Sequence, residues 1–144
     1  MRVFVAIDLP EIVCSELEEL QAALAVGRPV PSQNLHLTLS FLGEQTDEHC
    51  EEAHHALSTI RAASFNLRLR GVGSFGTRTP KVIYADVERS QALVDLERQV
   101  NRTLRSAGLD FQKRRFRPHV TIARVPRHLS AREFSDLRDF LAYH

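Results

Sequence analysis

Two short stretches carry groups able to do acid–base chemistry at matched spacing: "HLTLSFLG", residues 36–43, and "HVTIARV", residues 119–125. Each opens on His-x-Thr. Alternate side chains of a strand share a face. His36, Thr38 and Ser40 therefore form one row, with Leu35, Leu37, Leu39 and Phe41 on the other. By the same alternation His119, Thr121 and Ala123 share a face, with Val120 and Ile122 behind. A polar, titratable row backed by an apolar one describes a strand whose back lies in a core and whose front lines a cleft. A single such pair is most often a half-exposed strand face; two at equivalent places in the chain point to chemistry. Imidazole exchanges protons near neutrality because its unperturbed pKa is about 6.5. A pair, one neutral and one protonated, can take a proton from a nucleophile and deliver one to a leaving group. Each threonine hydroxyl can donate to an anionic oxygen whose charge grows in the transition state. Two acid–base groups on opposite sides of two donors suit in-line displacement at a phosphorus.

Other chemistries fit the sequence worse. The remaining histidines, His49, His54, His55, His128 and His144, show no ligand spacing joined to these motifs. His55 and Glu51, four apart beside Glu52, read as a solvated helix face rather than a metal site. "GVGSFG" follows a strand but precedes another strand, so it is no nucleotide cradle. A Ser nucleophile in a G-x-S-x-G turn is absent.

The elements that must position these residues follow from periodicity. Residues 2–8, "RVFVAID", read as a strand. From Pro10 to about Val26, Val13, Leu17, Leu20 and Leu24 recur at helical spacing. "GRPVPSQ" reads as loop, and the first His-x-Thr strand spans 34–44. Thr46 is placed to cap a helix from Asp47 to about Arg61. "FNLRLRGVGSFG" alternates as a half-exposed strand ended by glycines, and "KVIYADV", 81–87, is another. Ser90 caps a helix to about Ala107, with Gly108 as its stop. "RFRPHVTIARV", 115–125, is the second His-x-Thr strand. Ser130 and Glu133 are spaced as a capping box for a last helix.

The order is β-α-β-α-β, then β-α-β-α, and the halves echo each other. "VFVAID", helix, "HLTLSFLG" matches "VIYADV", helix, "HVTIARV"; Asp8 and Asp86 occupy the same place in the two first strands. Such an internal repeat sets the architecture. The expected fold is α+β: a bilobal, pseudo-two-fold duplication of βαβ-like units, with two antiparallel-rich sheets facing a central cleft and helices outside.

Composition sets the bounds. At 144 residues the chain suits one domain, and its 43% hydrophobic and 26% charged content is that of an ordinary globular protein. A net charge of +1 excludes a strongly basic nucleic-acid coat or an acidic tail, so any polyanion site is local. No window approaches a membrane span, and the apolar opening is too short for a signal peptide. Cys14 and Cys50 fall on core-facing stripes of different helices, which implies buried free thiols in the cytoplasm. "KRRFR", 113–117, and Arg68, Arg70, Arg78 and Lys81 supply local cations that could hold phosphates, with Phe75 and Phe116 as base platforms or core residues.

"HLTLSFLGE" and "RPHVTIAR" resemble the paired signatures of the two-histidine (2H) phosphoesterases. They are most similar to the RNA 2',3'-cyclic phosphodiesterases, also called 2'-5' RNA ligases. "RVFVAIDLPE", "GVGSFG…PKVIYADV" and "FRPHVTIARV" fit that branch in the same order. The resemblance implies catalysis by His36 as proton donor and His119 as proton acceptor, with Thr38 and Thr121 binding phosphate. The implied reaction opens an RNA 2',3'-cyclic phosphate to a 2'-phosphomonoester, without metal or cofactor, and the same pair could join a 2',3'-cyclic end to a 5'-hydroxyl. The implied partner is RNA, with no membrane, and the implied state is a monomer. Another cyclic phosphate, such as that of ADP-ribose, and a nucleotide-binding module on the same scaffold are the competing readings. Arg124 matches a family arginine after the second motif. Strict alternation, however, puts it opposite His119, so it reaches a phosphate only if the strand bends or ends near Ala123. The family pattern continues with further strands after the last helix, whereas this sequence stops at His144, which implies an uncovered sheet edge.

Overall fold

The computed structural model describes all of residues 1–144, in the order β1 (Arg2–Asp8), α1 (Glu11–Ala23), β2 (Arg28–Pro29), β3 (His36–Glu44), α2 (Asp47–Ser58), β4 (Leu69–Phe75), β5 (Val82–Val87), α3 (Gln91–Ser106), β6 (His119–Arg124) and α4 (Ala131–Tyr143). A short 3₁₀ turn, Ser32–Asn34, leads into β3. The fold is α+β, with two antiparallel sheets and four helices. No helix is long and apolar enough to cross a membrane.

The chain forms two compact units, and neither is one of the halves seen in the sequence. The first unit joins Met1–Ile7, Thr38–Arg68 and Glu88–Pro118. It holds most of the two-stranded β1–β3 sheet, with α2 and α3, so its helices come from both halves. The end of β3 is tied to the start of β1: the Gln45 amide donates to the Met1 carbonyl at 2.9 Å. Gln45 is itself buried, its side-chain amide donating to the carbonyls of Leu42 at 2.7 Å and Asp110 at 3.0 Å. Thr46 caps α2 by accepting from the His49 amide, and Ser90 caps α3 by accepting from Leu93. Each cap contributes about 1 kcal/mol to helix stability. Helix α3 buries Leu93, Val94, Val100 and Leu104, one side of a strongly amphipathic helix. It ends in a Schellman turn: Leu109 donates to the Leu104 carbonyl and Gly108 to that of Arg105, with Gly108 at φ +97°.

The second unit joins Asp8–Leu37, Leu69–Val87 and His119–His144. Its sheet runs β2-β6-β5-β4, antiparallel throughout. Helix α1 packs on β6 and α4 on β4. Ile83, Val120, Ile122 and Leu137 are almost wholly buried there, each contributing roughly 1.5–3 kcal/mol of transfer free energy. The Ser130–Glu133 capping box forms at the start of α4.

Several expectations need correction. "GRPVPSQ" is not merely loop: Arg28 and Pro29 pair with Arg124 and Ala123. A proline is tolerated there because β2 is an edge strand. Residues 65–68 keep alternating exposure but lie outside the ladder, and β4 begins only at Leu69. Helix α1 stops at Ala23 because Leu24 turns to an extended conformation, and α2 stops at Ser58. Both cysteines are free, as expected, but half-buried rather than buried.

Candidate active site

The two His-x-Thr strands show the same sequence of burial over six positions. In β3, His36 and Thr38 are half-buried, Leu37, Leu39 and Ser40 buried, and Phe41 45% exposed. In β6, His119 and Thr121 are half-buried, Val120, Ile122 and Ala123 buried, and Arg124 exposed. Strict alternation fails at the same place in both, because the fourth and fifth residues are buried one after the other. Ser40 and Ala123 thus leave the polar row in which the sequence placed them, and Phe41 leaves the core.

The cause in β6 is a β-bulge. Ile83 pairs with Ala123 while its neighbour Tyr84 pairs with Thr121, so β6 inserts Ile122 as an extra residue against β5. A bulge shifts the parity of the strand beyond it. Ile122 and Ala123 both turn to the core at 0% exposure. Arg124 then comes round to the face of His119 and Thr121, which undoes the odd-step objection from the sequence. The bulge is held from behind. The Ile122 carbonyl accepts from the Val30 amide at 2.9 Å and from the Gln21 side-chain amide at 2.8 Å. The same Gln21 amide donates to the Val30 carbonyl at 2.9 Å, tying α1 to both strands.

His119 sits in an aromatic seat. Phe75 meets its ring edge-to-face, centroids 4.9 Å apart at 84°, and Tyr84 lies 5.4 Å away. Phe75 and Tyr84 themselves pack at 4.4 Å. Tyr84 can lie there because its cross-strand partner is Gly73. A Cβ at Gly73 would stand 2.6 Å from the Tyr84 ring carbon that bears the hydroxyl. Rings packed around an imidazole restrict its rotation and leave less of its position to chance. Sequence reasoning missed Tyr84 and Gly73. The only signal was "GVGSFG" facing "VIYADV", and it becomes legible once the register is known. His36, Thr121, Arg124 and His119 belong to the second unit, and Thr38, two residues after His36 on the same strand, to the first.

Thr38 and Phe41 line a pocket of about 780 Å³ in the first unit, walled by α3 and residues 111–117. The single acid in its lining, Glu97, is buried and accepts from the Asn101 side-chain amide at 2.7 Å. Burial raises the Glu97 pKa, while Arg98, Arg89, the Asn101 hydrogen bond and Arg105 pull it back.

Comparison with known proteins bears on the family and the fold. The family described as the 2'-5' RNA ligase superfamily matches residues 9–142. The RNA 2',3'-cyclic phosphodiesterase of Thermotoga maritima is 36% identical over 132 residues, 87% of this chain and 70% of its own length. That of Escherichia coli is 32% identical over 126 residues, 85% of this chain and 71% of its own. Among solved structures, a Thermus thermophilus protein superposes with a TM-score of 0.74 at 34% identity, covering 87% of this chain and 74% of its own. Escherichia coli LigT in complex with 3'-AMP gives 0.72 at 31%, covering 85% and 70%. The chain thus spans about seven tenths of the length of these relatives.

Proposed function

Because this chain belongs to the 2'-5' RNA ligase superfamily, we propose that it opens 2',3'-cyclic phosphates at RNA ends, with His36 and His119 as its acid–base pair. The observation that carries the reading is the twin His-x-Thr strand, each with a half-buried polar face and a buried apolar back. Curated relatives of this name, and the 3'-AMP complex of the LigT neighbour, support the substrate class.

In this mechanism the neutral His119 imidazole takes a proton from water. The water oxygen forms a new P–O bond as the bond from phosphorus to the ribose 3'-oxygen breaks, and the protonated His36 delivers its proton to that oxygen. The product is a 2'-phosphomonoester and a free 3'-hydroxyl. Thr38 and Thr121 donate hydrogen bonds to the non-bridging oxygens, which gain charge in the transition state, and Arg124 adds a fixed positive charge on the face of Thr121. With a 5'-hydroxyl in place of water the same steps join two RNA ends. The 5'-oxygen gives up its proton and forms the new P–O bond as the bond to the 3'-oxygen breaks, which leaves a 2'-5' linkage and a free 3'-hydroxyl. The imidazoles do the proton transfers without a metal ion and within one copy of the chain, and two unpaired cysteines suit a reducing cytoplasm.

The test is hydrolysis of a 2',3'-cyclic oligoribonucleotide in EDTA. The expected outcome is turnover with a bell-shaped pH profile, and a fall of roughly 10²-fold or more in His36→Ala and in His119→Ala. Undiminished turnover in both variants would end this reading.

A further inference from the structure

The pocket that begins at Thr38 is far more basic than the protein as a whole. Arg98, Arg102 and Arg105 reach it from α3, where steps of four and three residues keep them on one helix face. Lys113, Arg114, Arg115 and Arg117 wall the other side. Seven cations around one acid contrast with a net charge of +1 for the whole chain. Glu97 offsets only one of the seven cations, so the lining keeps a large positive excess.

Aromatic rings alternate with these cations. The Arg105 guanidinium lies 4.3 Å from the centre of the Phe111 ring, and that of Arg114 lies 5.1 Å from the ring of Phe41. Phe41 is 45% exposed on a strand whose neighbours, Ser40 and Leu42, are buried. An exposed ring beside guanidinium groups, in a concave basic wall, is the arrangement that holds single-stranded nucleic acid. The phosphates meet the cations and the bases stack on rings or guanidinium planes. An acidic protein segment would use the cations and leave the rings idle.

Resting on the proposed reaction, in which Thr38 binds the reacting phosphate, we propose that this pocket is a docking track for the nucleotides preceding the cyclic end, with Arg98 and Arg102 on their phosphates and Phe41 stacking a base. The protein is therefore an enzyme of RNA strands rather than of free cyclic mononucleotides. Arg98 and Arg102 set substrate length without entering the chemistry.

The experiment compares Arg98→Gln/Arg102→Gln with the unaltered protein on two substrates. One is an oligoribonucleotide of about ten nucleotides ending in a 2',3'-cyclic phosphate, within the usual single-strand site sizes; the other is a 2',3'-cyclic mononucleotide. The unaltered protein should prefer the oligonucleotide. The double variant should lose roughly 10- to 100-fold in kcat/KM on it, mainly through KM, and nothing on the mononucleotide. The slope of log KM against log salt should fall by about 1.4, two phosphate contacts at about 0.7 each. Equal turnover of both substrates, or an equal loss on both in the variant, overturns the track and leaves the proposed reaction standing. Fluorescence anisotropy with a labelled oligonucleotide ending in a 2'-phosphate separates the two ideas further. Tight, salt-sensitive binding that depends on Arg98 and Arg102 without hydrolysis of either substrate keeps the track and removes the reaction. Binding insensitive to both substitutions removes the track.

Discussion

At the scale of single residues, burial decides more than residue type. Glu97 stands among arginines, yet the cost of removing its carboxylate from water is the leading influence on it, and its pKa is raised. A carboxyl whose folded pKa exceeds its unfolded value stabilises the protein fully below the unfolded pKa. That contribution is lost as pH rises through the folded one. Glu97→Gln keeps an acceptor for Asn101 and removes the charge. It should raise the melting temperature at neutral pH, with the gain vanishing below the ordinary value of 4.5. Thermal melts across pH 4–8 check this; a variant that melts lower at neutral pH means that the arginines outweigh burial. Serine and alanine in the motif strands carry the same lesson. Ser40 and Ala123 share a row with histidine and threonine by strict alternation, but the bulge sends Ala123 inward, and Ser40 is buried at the same step of its own strand.

At the scale of elements, the bulge in β6 is the feature on which Arg124 depends. Nothing in "HVTIARV" announces an extra residue, because the signal lies in the strands and helix that receive the Ile122 carbonyl. Gln21 is the receiver on α1, and its amide serves both Ile122 and Val30. Gln21→Met keeps the length of the side chain and deletes both donors. It should cost about 1–2 kcal/mol in urea unfolding and lower kcat/KM on a cyclic phosphate through a misplaced Arg124. Unchanged turnover in a destabilised protein would show that β6 holds its bulge without help from α1. Other elements were plain in advance. Thr46, Ser90 and the Ser130–Glu133 box cap the helices their spacing predicts, and Gly108 ends α3, because caps are made with partners two to five residues away. Residues 28 and 29 were missed as a strand since a two-residue pairing has no period to detect.

At the scale of the molecule, the repeat in the sequence is not the division in space. Each compact unit is assembled from three separate segments. The β2-β6-β5-β4 sheet takes β2 and β4 from the first half and β5 and β6 from the second. A fragment of residues 1–75 therefore retains β2 and β4 without the strands between them, and one of residues 76–144 loses both edge strands. Neither should show the far-UV circular dichroism or the dispersed NMR spectrum of a folded domain, whereas mixing the two is expected to restore both. A fragment that folds alone would mean that the halves retain the independence their likeness suggests.

Neighbouring residues suffice to decide the helices and their caps, the alternation that puts histidine beside threonine, and the presence of two such strands in one chain, and all of these are legible before folding. Tertiary structure alone decided the register. From it follow the parity shift that turns Arg124 toward His119, the Phe75–Tyr84 seat over Gly73, and the meeting of Phe41, α3 and residues 111–117 around one basic pocket. The reason is physical. Propensity, capping and periodicity act over one or two turns of chain, whereas pairing and packing depend on groups up to a hundred residues away, whose arrival no local pattern records.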